Sequence, residues 1–319
     1  MKKYLVTGGT GFIGAACVRQ LLAEGHGVRV IDNNSRGAAR RLTDLAGSVE
    51  MVEADIRDSA AMVRAAEGMD AILHLAYVNG TEYFYTKPEL ILDVAVRGML
   101  AVLDACRAHG IRELVLASSS EVYQTAPKIP TDESVPLTVP DVLNPRFSYG
   151  GGKLICELMA VNYGRTGFDR VMIFRPHNVY GPDMGGEHVI PQFSRRLAGL
   201  CASQSSGVID FSIQGTGQET RSFIYIDDFV EGLMTVLRHG SHLGIYHIGT
   251  QEEVTVAELA RLTASCLGRE IRVVPGSLQP GSTPRRCPDI SRLRLLGFTP
   301  RLTLSEGLNR TVPWYASHP

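Results

Sequence analysis

The chain has 319 residues, 44% hydrophobic and 20% charged, with a net charge of −1, a pI near 6.8 and a mean hydropathy close to zero. That is the composition of a water-soluble globular protein with room for one large α/β domain or two smaller ones, and it offers no field to attract nucleic acid or an anionic membrane. No apolar run reaches the ~20 residues of a membrane span, and a first strand beginning at Lys3 leaves no room for a signal peptide. The six cysteines are scattered without metal spacing and read as reduced thiols of a cytoplasmic protein; the histidines form no ligand pair, so no metal is expected.

Residues 4–7 (Tyr-Leu-Val-Thr) form a short apolar strand that runs into Gly8-Gly9-Thr10-Gly11-Phe12-Ile13-Gly14, and a helical pattern follows. A glycine-rich turn between strand and helix lets backbone N–H groups approach a pyrophosphate at the positive end of the helix. The second strand, residues 28–32, ends at Asp32, 18 residues after Gly14. A carboxylate there accepts the ribose hydroxyls of an adenosine and repels a 2′-phosphate, which predicts NAD. Arg36 is the dissenting residue, since an arginine past the acid accommodates NADP.

Further strands are predicted at 49–55, 71–76, 114–117 and 171–175, with a long, largely apolar helix at 88–108. Asp55 and Ile56 lie near an adenine ring on one reading, and Asp55 is a plain helix N-cap before Arg57 on the other. Alternating strands and helices with short links predict an α/β fold: a doubly wound parallel sheet of the Rossmann kind, whose strand ends would gather Gly8, Asp32, Ala76 and Ser119. A proline-rich stretch, 125–145, leads to Ser148-Tyr149-Gly150-Gly151-Gly152-Lys153.

On a helix, Tyr149 and Lys153 are one turn apart on the same face. A cation beside a phenol favours the phenolate and brings a weak base toward working pH; the competing reading is a solvated pair on a surface helix. Beyond Pro176 the alternation weakens, and a smaller α/β lobe begins. The expected division is 1–175 for the cofactor domain, with 222–250 returning to it, and 176–221 plus 251–319 for the lobe. Arg221–Asp228 and residues 244–248 are expected to rejoin the sheet. The remainder carries a helix at 256–267, a strand at 271–274 and a short C-terminal helix.

These blocks resemble, nearly end to end, the extended short-chain dehydrogenase/reductases of the nucleotide-sugar epimerase/dehydratase branch. The match rests on the stretch 7–14, Asp32-Asn33-Asn34-Ser35-Arg36-Gly37, His74-Leu75-Ala76, the stretch 118–123, Tyr149 to Lys153, Arg175-Pro176-His177-Asn178-Val179-Tyr180-Gly181-Pro182, and Arg221 to Asp228. The resemblance implies an NAD-dependent enzyme acting on a nucleotide-diphosphate sugar, with Tyr149 as base, Lys153 lowering its pKa and gripping the nicotinamide ribose, and Ser119 placing the sugar oxygen. It implies cofactor contacts at Gly8, Gly11, Phe12, Ile13, Gly14, Asp32, Asn33, Ser35, Arg36, Asp55, Ile56, Leu75, Ala76, Tyr149, Lys153 and Pro176. In the lobe, Asn178 and Arg221 would reach the phosphates, with Arg285 or Arg286 as a second cation; the alternative is that Arg285 and Arg286 are a solvated pair. His188 and Val189 would lie near the nucleotide, although a structural role serves His188 equally, and Asn79 would help line the sugar pocket.

Ser120 and Glu121 discriminate among reactions. By the resemblance, dehydratases of this branch carry an Asp-Glu pair where this chain has Ser120-Glu121, and a serine cannot readily replace the acid that expels water. Glucuronate decarboxylases are more similar to the Ser119-Ser120-Glu121 pattern, and simple epimerases tolerate Ser-Glu too. The reading is epimerisation, at C4, through a transient keto-sugar with tightly bound NAD. Glucuronate decarboxylation is the alternative, 4,6-dehydration is less favoured, and a non-catalytic NAD sensor is the remote third class. Glu121 has a structural reading too, as an acceptor for a backbone amide. Val94 departs from the asparagine that many relatives carry. The resemblance implies a homodimer, since relatives often dimerise through two helices per chain, corresponding here to 88–108 and 149–163, although dense apolar residues fit a core as well.

Overall fold

The computed structural model describes residues 1–277 and 283–318. Its contacts divide the chain into two compact units. The first comprises Met1–Gln124, Pro136–Pro176 and Val230–Tyr246; the second comprises Thr125–Val135, His177–Phe229 and His247–Pro319.

The first unit begins β1 (Lys3–Thr7), α1 (Phe12–Ala23), β2 (Gly27–Asp32), β3 (Val49–Glu53), α2 (Ser59–Ala66) and β4 (Ala71–His74). It continues through α3 (Thr81–Thr86), α4 (Pro88–His109), β5 (Glu113–Ala117), α5 (Ser148–Gly164) and β6 (Arg170–Pro176). The sheet runs in the order β3-β2-β1-β4-β5-β6, and every one of these neighbouring pairs is parallel. Parallel strands covered on both faces read as continuous apolar runs, and β4 and β5 are buried along their whole length. Strand order reverses between β1 and β4, the switch point outside which ligands of such sheets bind. The expected α/β Rossmann fold is thus the fold of this unit.

Strand ends differ by a few residues from expectation: β3 stops at Glu53 and β4 at His74, so Asp55 and Ala76 lie on the loops that leave them. Helix α4 runs to His109 and closes on Gly110 in the left-handed region, with φ +63°. It packs on α5, where Cys156 Sγ donates to Ala95 O at 3.4 Å. Val94 is buried in the same core.

The second unit holds β7 (Val179–Tyr180), α6 (Val189–Ser203), β8 (Ile209–Ser212), β9 (Thr220–Ser222), β10 (Ile224–Tyr225) and the start of α7 (Ile226–His239). After β11 (Gly244–Ile248) come β12 (Glu253–Thr255), α8 (Val256–Ser265), β13 (Ile271–Val274), β14 (Arg285–Arg286), α9 (Ser291–Leu295) and α10 (Leu304–Ser317). Of the two stretches expected to return, β11 rejoins the large sheet, beside β6. The stretch Arg221–Asp228, expected to do the same, instead supplies β9 to a three-stranded sheet, β10 to a two-stranded one, and then the first turn of α7. Pairing of β9 with β14 on one side and β12 on the other satisfies its backbone locally.

Candidate active site

The glycine loop is shaped by contacts that a side chain would destroy. A Cβ on Gly14 would overlap Gly8 O and sit 2.8 Å from Gly9 Cα, so helix α1 can start that close to β1 only with glycine there. Gly8 N donates to Ile31 O at 2.9 Å, and Gly11 N to Gly8 O at 3.1 Å. Asp32 is 8% exposed at the end of β2; its Oδ2 accepts from Thr10 N at 3.0 Å and its Oδ1 from Asn34 N at 2.9 Å. Each carboxylate oxygen keeps a second lone pair for a hydroxyl, and no acidic residue enters the first turn of α1. A close-approach loop, a helix N-terminus and a fixed carboxylate fit a dinucleotide of the NAD type.

Around that loop the remaining expected residues are arranged in detail. Asn33 Oδ1 accepts from Ser35 N at 3.1 Å, and Asn33 Nδ2 donates to Asp55 Oδ2 at 3.0 Å. Arg36 lies over the ring of Tyr83, its guanidinium carbon 4.9 Å from the centroid. Asp55 is held by Arg57, whose hydrogen bonds push its carboxyl down to about 2. It does not cap the following helix: Asp58 does, accepting from Ala61 N at 2.9 Å. Ile56 is buried. Asn79 folds back on itself, Oδ1 taking Gly80 N at 2.8 Å.

One further group was not singled out from the sequence. Thr7 Oγ1 accepts from Leu75 N and Ala76 N, both at 3.1 Å, and lies 2.8 Å from His74 Nδ1. With both lone pairs taken, the hydroxyl must donate to His74, which fixes the imidazole with its proton on Nε2. Burial, then the nearby Lys153 charge, pushes His74 down to about 3. This contact staples the ends of β1 and β4 on either side of the switch point.

On α5, Tyr149 and Lys153 share a face and both are buried, at 8% and 3% exposure, so the surface-helix reading fails. Lys153 Nζ donates to Ala117 O at 2.7 Å, two residues before Ser119. Burial brings its ammonium down to about 8. Ser119 Oγ accepts from Glu121 N at 3.1 Å, capping a single 3₁₀ turn, and Ser120 is buried in that turn. Glu121 follows on the same turn, partly exposed.

Two of the glycines between Tyr149 and Lys153 leave room for the protein itself. A Cβ on Gly150 would overlap Gln124 Nε2 and lie 2.8 Å from Glu121 O; one on Gly152 would overlap Tyr77 Oη and lie 3.0 Å from Ala95 Cβ.

In the second unit the parallel pairing of β14 with β9 sets Arg286 opposite Arg221, and Arg285 opposite Thr220. Paired residues share a face and successive ones alternate, so the two neighbouring arginines part company. Arg221 Nη2 donates to Thr283 O at 2.7 Å and Arg286 Nη2 to Thr283 Oγ1 at 3.1 Å, which brings both guanidinium groups to one residue. Arg285 is bound through two hydrogen bonds to Glu253, at 2.8 and 2.6 Å. Asn178, at φ +42°, donates from Nδ2 to Ser222 O at 2.8 Å. His188 precedes α6 without capping it, and Val189 opens that helix. Among the described residues no cluster of His, Cys, Asp and Glu can hold a metal, and no helix is long and apolar enough to cross a membrane.

Residues 4–249 match the model of the NAD dependent epimerase/dehydratase family. A UDP-glucose 4-epimerase of Mycolicibacterium smegmatis is 33% identical, covering 98% of this chain and 97% of its own length. A UDP-N-acetyl-alpha-D-glucosaminuronate decarboxylase of Bacillus cytotoxicus is 29% identical, covering 98% of both. Among solved structures, a double mutant of the dTDP-glucose 4,6-dehydratase DesIV from Streptomyces venezuelae, with NAD bound, is 31% identical and superposes with a TM-score of 0.86, covering 98% of this chain and 96% of its own. With a dinucleotide loop, an acid-ended second strand and a buried Tyr-Lys pair on one parallel sheet, this chain belongs to the NAD-dependent epimerase/dehydratase family.

Proposed function

We propose that the protein is a nucleotide-sugar epimerase that inverts C4 through a transient keto-sugar while NAD stays bound. The buried Tyr149–Lys153 pair carries this reading, because a desolvated ammonium one turn from a phenol favours the phenolate and makes it a base. When bound, NAD supplies reversible hydride acceptance at the sugar carbon. Phe12, Ile13 and their neighbours at the α1 N-terminus would take the pyrophosphate, and Asp32 the adenosine ribose. Tyr149 would remove the hydroxyl proton as the keto-sugar forms and return it once the other face of the sugar is presented. Lys153 would hold the charge that makes the phenolate accessible, and Ser119 would orient the sugar oxygen.

Arg221 and Arg286 would grip the diphosphate, a role suited to planar forks that meet phosphate oxygens in pairs. Asn178, His188 and Val189 would line the nucleotide end, and Asn79 the sugar. Ser120 supports epimerisation over dehydration, since a buried hydroxyl cannot deliver the proton that expels water. Decarboxylation of a nucleotide-linked uronate is the second reading: it uses the same oxidation and is the activity named for one relative. The free thiols, four of them buried, support a cytoplasmic home. Exposed Leu92 and Leu100 on α4, with Ile155 and Leu158 on α5, support a homodimer through these two helices.

Incubation with UDP-, GDP-, CDP- and ADP-sugars, followed by NMR, tests the proposal. One C4 epimer pair should interconvert without added NAD, and Tyr149→Phe should abolish it while retaining the cofactor. Release of CO₂ from a uronate would overturn epimerisation in favour of the second reading.

A further inference from the structure

Tyr77 stands where the chain leaves β4, and it touches both members of the base pair. The Lys153 Nζ lies 3.8 Å from the centroid of its ring. The Tyr149 ring meets the same side chain edge-on, centroids 5.2 Å apart and planes at 88°. Phe84 covers Tyr149 from another direction at 4.9 Å, tilted by 31°. The fit is close enough to demand glycine at 152, where a Cβ would overlap Tyr77 Oη. Tyr77 Oη is 3.5 Å from Tyr149 O, so what it contributes to the pair is chiefly the ring.

A buried ammonium needs compensation. Lys153 has one carbonyl at hydrogen-bond distance, Ala117 O, and one ring face. The titratable groups that act on it or feel it are His74 from β4 and Cys156 and Glu157 from its own helix, with Tyr149 one turn before it on that helix. His74 is neutral and the Cys156 thiol is pushed up to about 11, so neither offers a counter-charge at neutral pH. Glu157 is taken up by Arg175 through two hydrogen bonds. An aromatic face attracts a cation, most strongly where both are desolvated.

We propose that Tyr77 is a positioning residue for the proton-transfer pair, its ring face holding the Lys153 ammonium against Ala117 O and its edge seating Tyr149. The inference rests on the reading of Tyr149 as base. It adds that the pH at which the pair operates is set by a residue outside the Ser-Tyr-Lys set. The hydroxyl of Tyr77 takes no proton in this scheme; burial pushes it well above its ordinary range.

The chain has five lysines, so ¹³Cε NMR of lysine-labelled protein resolves Lys153, assigned by its loss in Lys153→Met. Lys153 should titrate near 8 in the parent protein. Tyr77→Leu, which fills the space without a π face, should lower its protonation constant by about tenfold, and Tyr77→Phe should leave it within about twofold. The acid limb of turnover should move upward in Tyr77→Leu alone, because less ammonium is then present to favour the phenolate. A purely structural Tyr77 would lower stability in both variants and leave the titration in place, which would overturn the proposal.

Gly152→Ala provides the second measurement and does not depend on Tyr77→Leu folding. It should lower the melting temperature in the parent and be relieved in Gly152→Ala/Tyr77→Phe, which lacks the overlapping oxygen. No relief would overturn the packing on which the proposal stands. The lysine titration needs no substrate. A shift in protein that turns over no nucleotide sugar would sink the epimerase reading, whereas intact turnover with an unmoved Lys153 would sink only the role of Tyr77.

Discussion

Arg175 grips Glu157 through two parallel hydrogen bonds, Nε to Oε1 at 2.8 Å and Nη2 to Oε2 at 2.6 Å, with both side chains no more than 5% exposed. Ser118 Oγ donates to the same carboxylate and Arg175 Nη1 donates to Tyr123 Oη. The network joins the end of β6, the middle of α5 and the end of β5. Glu157 is one turn beyond Lys153, so the network also fixes the register of the helix that carries the base. Arg175→Met should cost about 3–5 kcal/mol in urea denaturation, because Glu157 stays buried and uncompensated. Arg175→Met/Glu157→Leu should cost clearly less than the sum of the single changes, since the stranded charge is gone. Additive losses would mean that the pair is not coupled.

His74 predicts acid sensitivity. Folded, it binds its proton only near pH 3; unfolded, near 6.5. Between those values the unfolded chain holds the extra proton, so stability falls as pH drops from about 6.5 toward 3. His74→Asn, whose side-chain oxygen can still accept from Thr7, should flatten that fall by up to one proton's worth of slope. Denaturant midpoints at intervals through this range measure it. An unchanged slope would assign the acid limb to other groups.

Asp32 predicts cofactor choice. Its two oxygens are already fixed by Thr10 N and Asn34 N, so the carboxylate is aimed before a ribose arrives. Asp32→Ala should weaken NAD binding by roughly 10- to 100-fold, the scale of hydrogen bonds to a charged group. NADP should lose less, because the repulsion of a 2′-phosphate disappears with the carboxylate. Calorimetry on cofactor-stripped protein reads both affinities; equal losses for the two dinucleotides would remove Asp32 from the choice.

Much of the first unit was legible because its signals are local. An apolar strand, a glycine turn and a strand-ending acid lie within Lys3–Asp32, and helical spacing alone aligned Tyr149 with Lys153. What escaped depends on partners distant in the chain. Gly152 is explained by Tyr77, far upstream across the fold, and nothing in the glycine run indicates that a phenol fills its space. The stretch Arg221–Asp228 looked like a return to the large sheet, yet it passes from β9 and β10 into α7, and β9 finds its neighbours in β12 and the two-residue β14, which is too short to show a period. Neighbouring arginines at 285 and 286 were indistinguishable as text; only the register of β14 on β9 separates them.

That separation gives the sharpest prediction in the second unit. Arg286 faces the same way as Arg221 and both reach Thr283, whereas Arg285 is committed to Glu253. If this face takes the diphosphate of a nucleotide sugar, Arg286→Ala should weaken UDP binding by about 10- to 100-fold, and Arg221→Ala by a similar factor. Arg286→Lys should recover only part, because an ammonium cannot make the paired contact. Arg285→Ala should change the affinity by less than about threefold, since the pair it breaks is exposed and such pairs contribute little. Titration calorimetry with UDP on the NAD-loaded protein separates these outcomes. A large loss in Arg285→Ala with none in Arg286→Ala would put the diphosphate on the opposite face of β14.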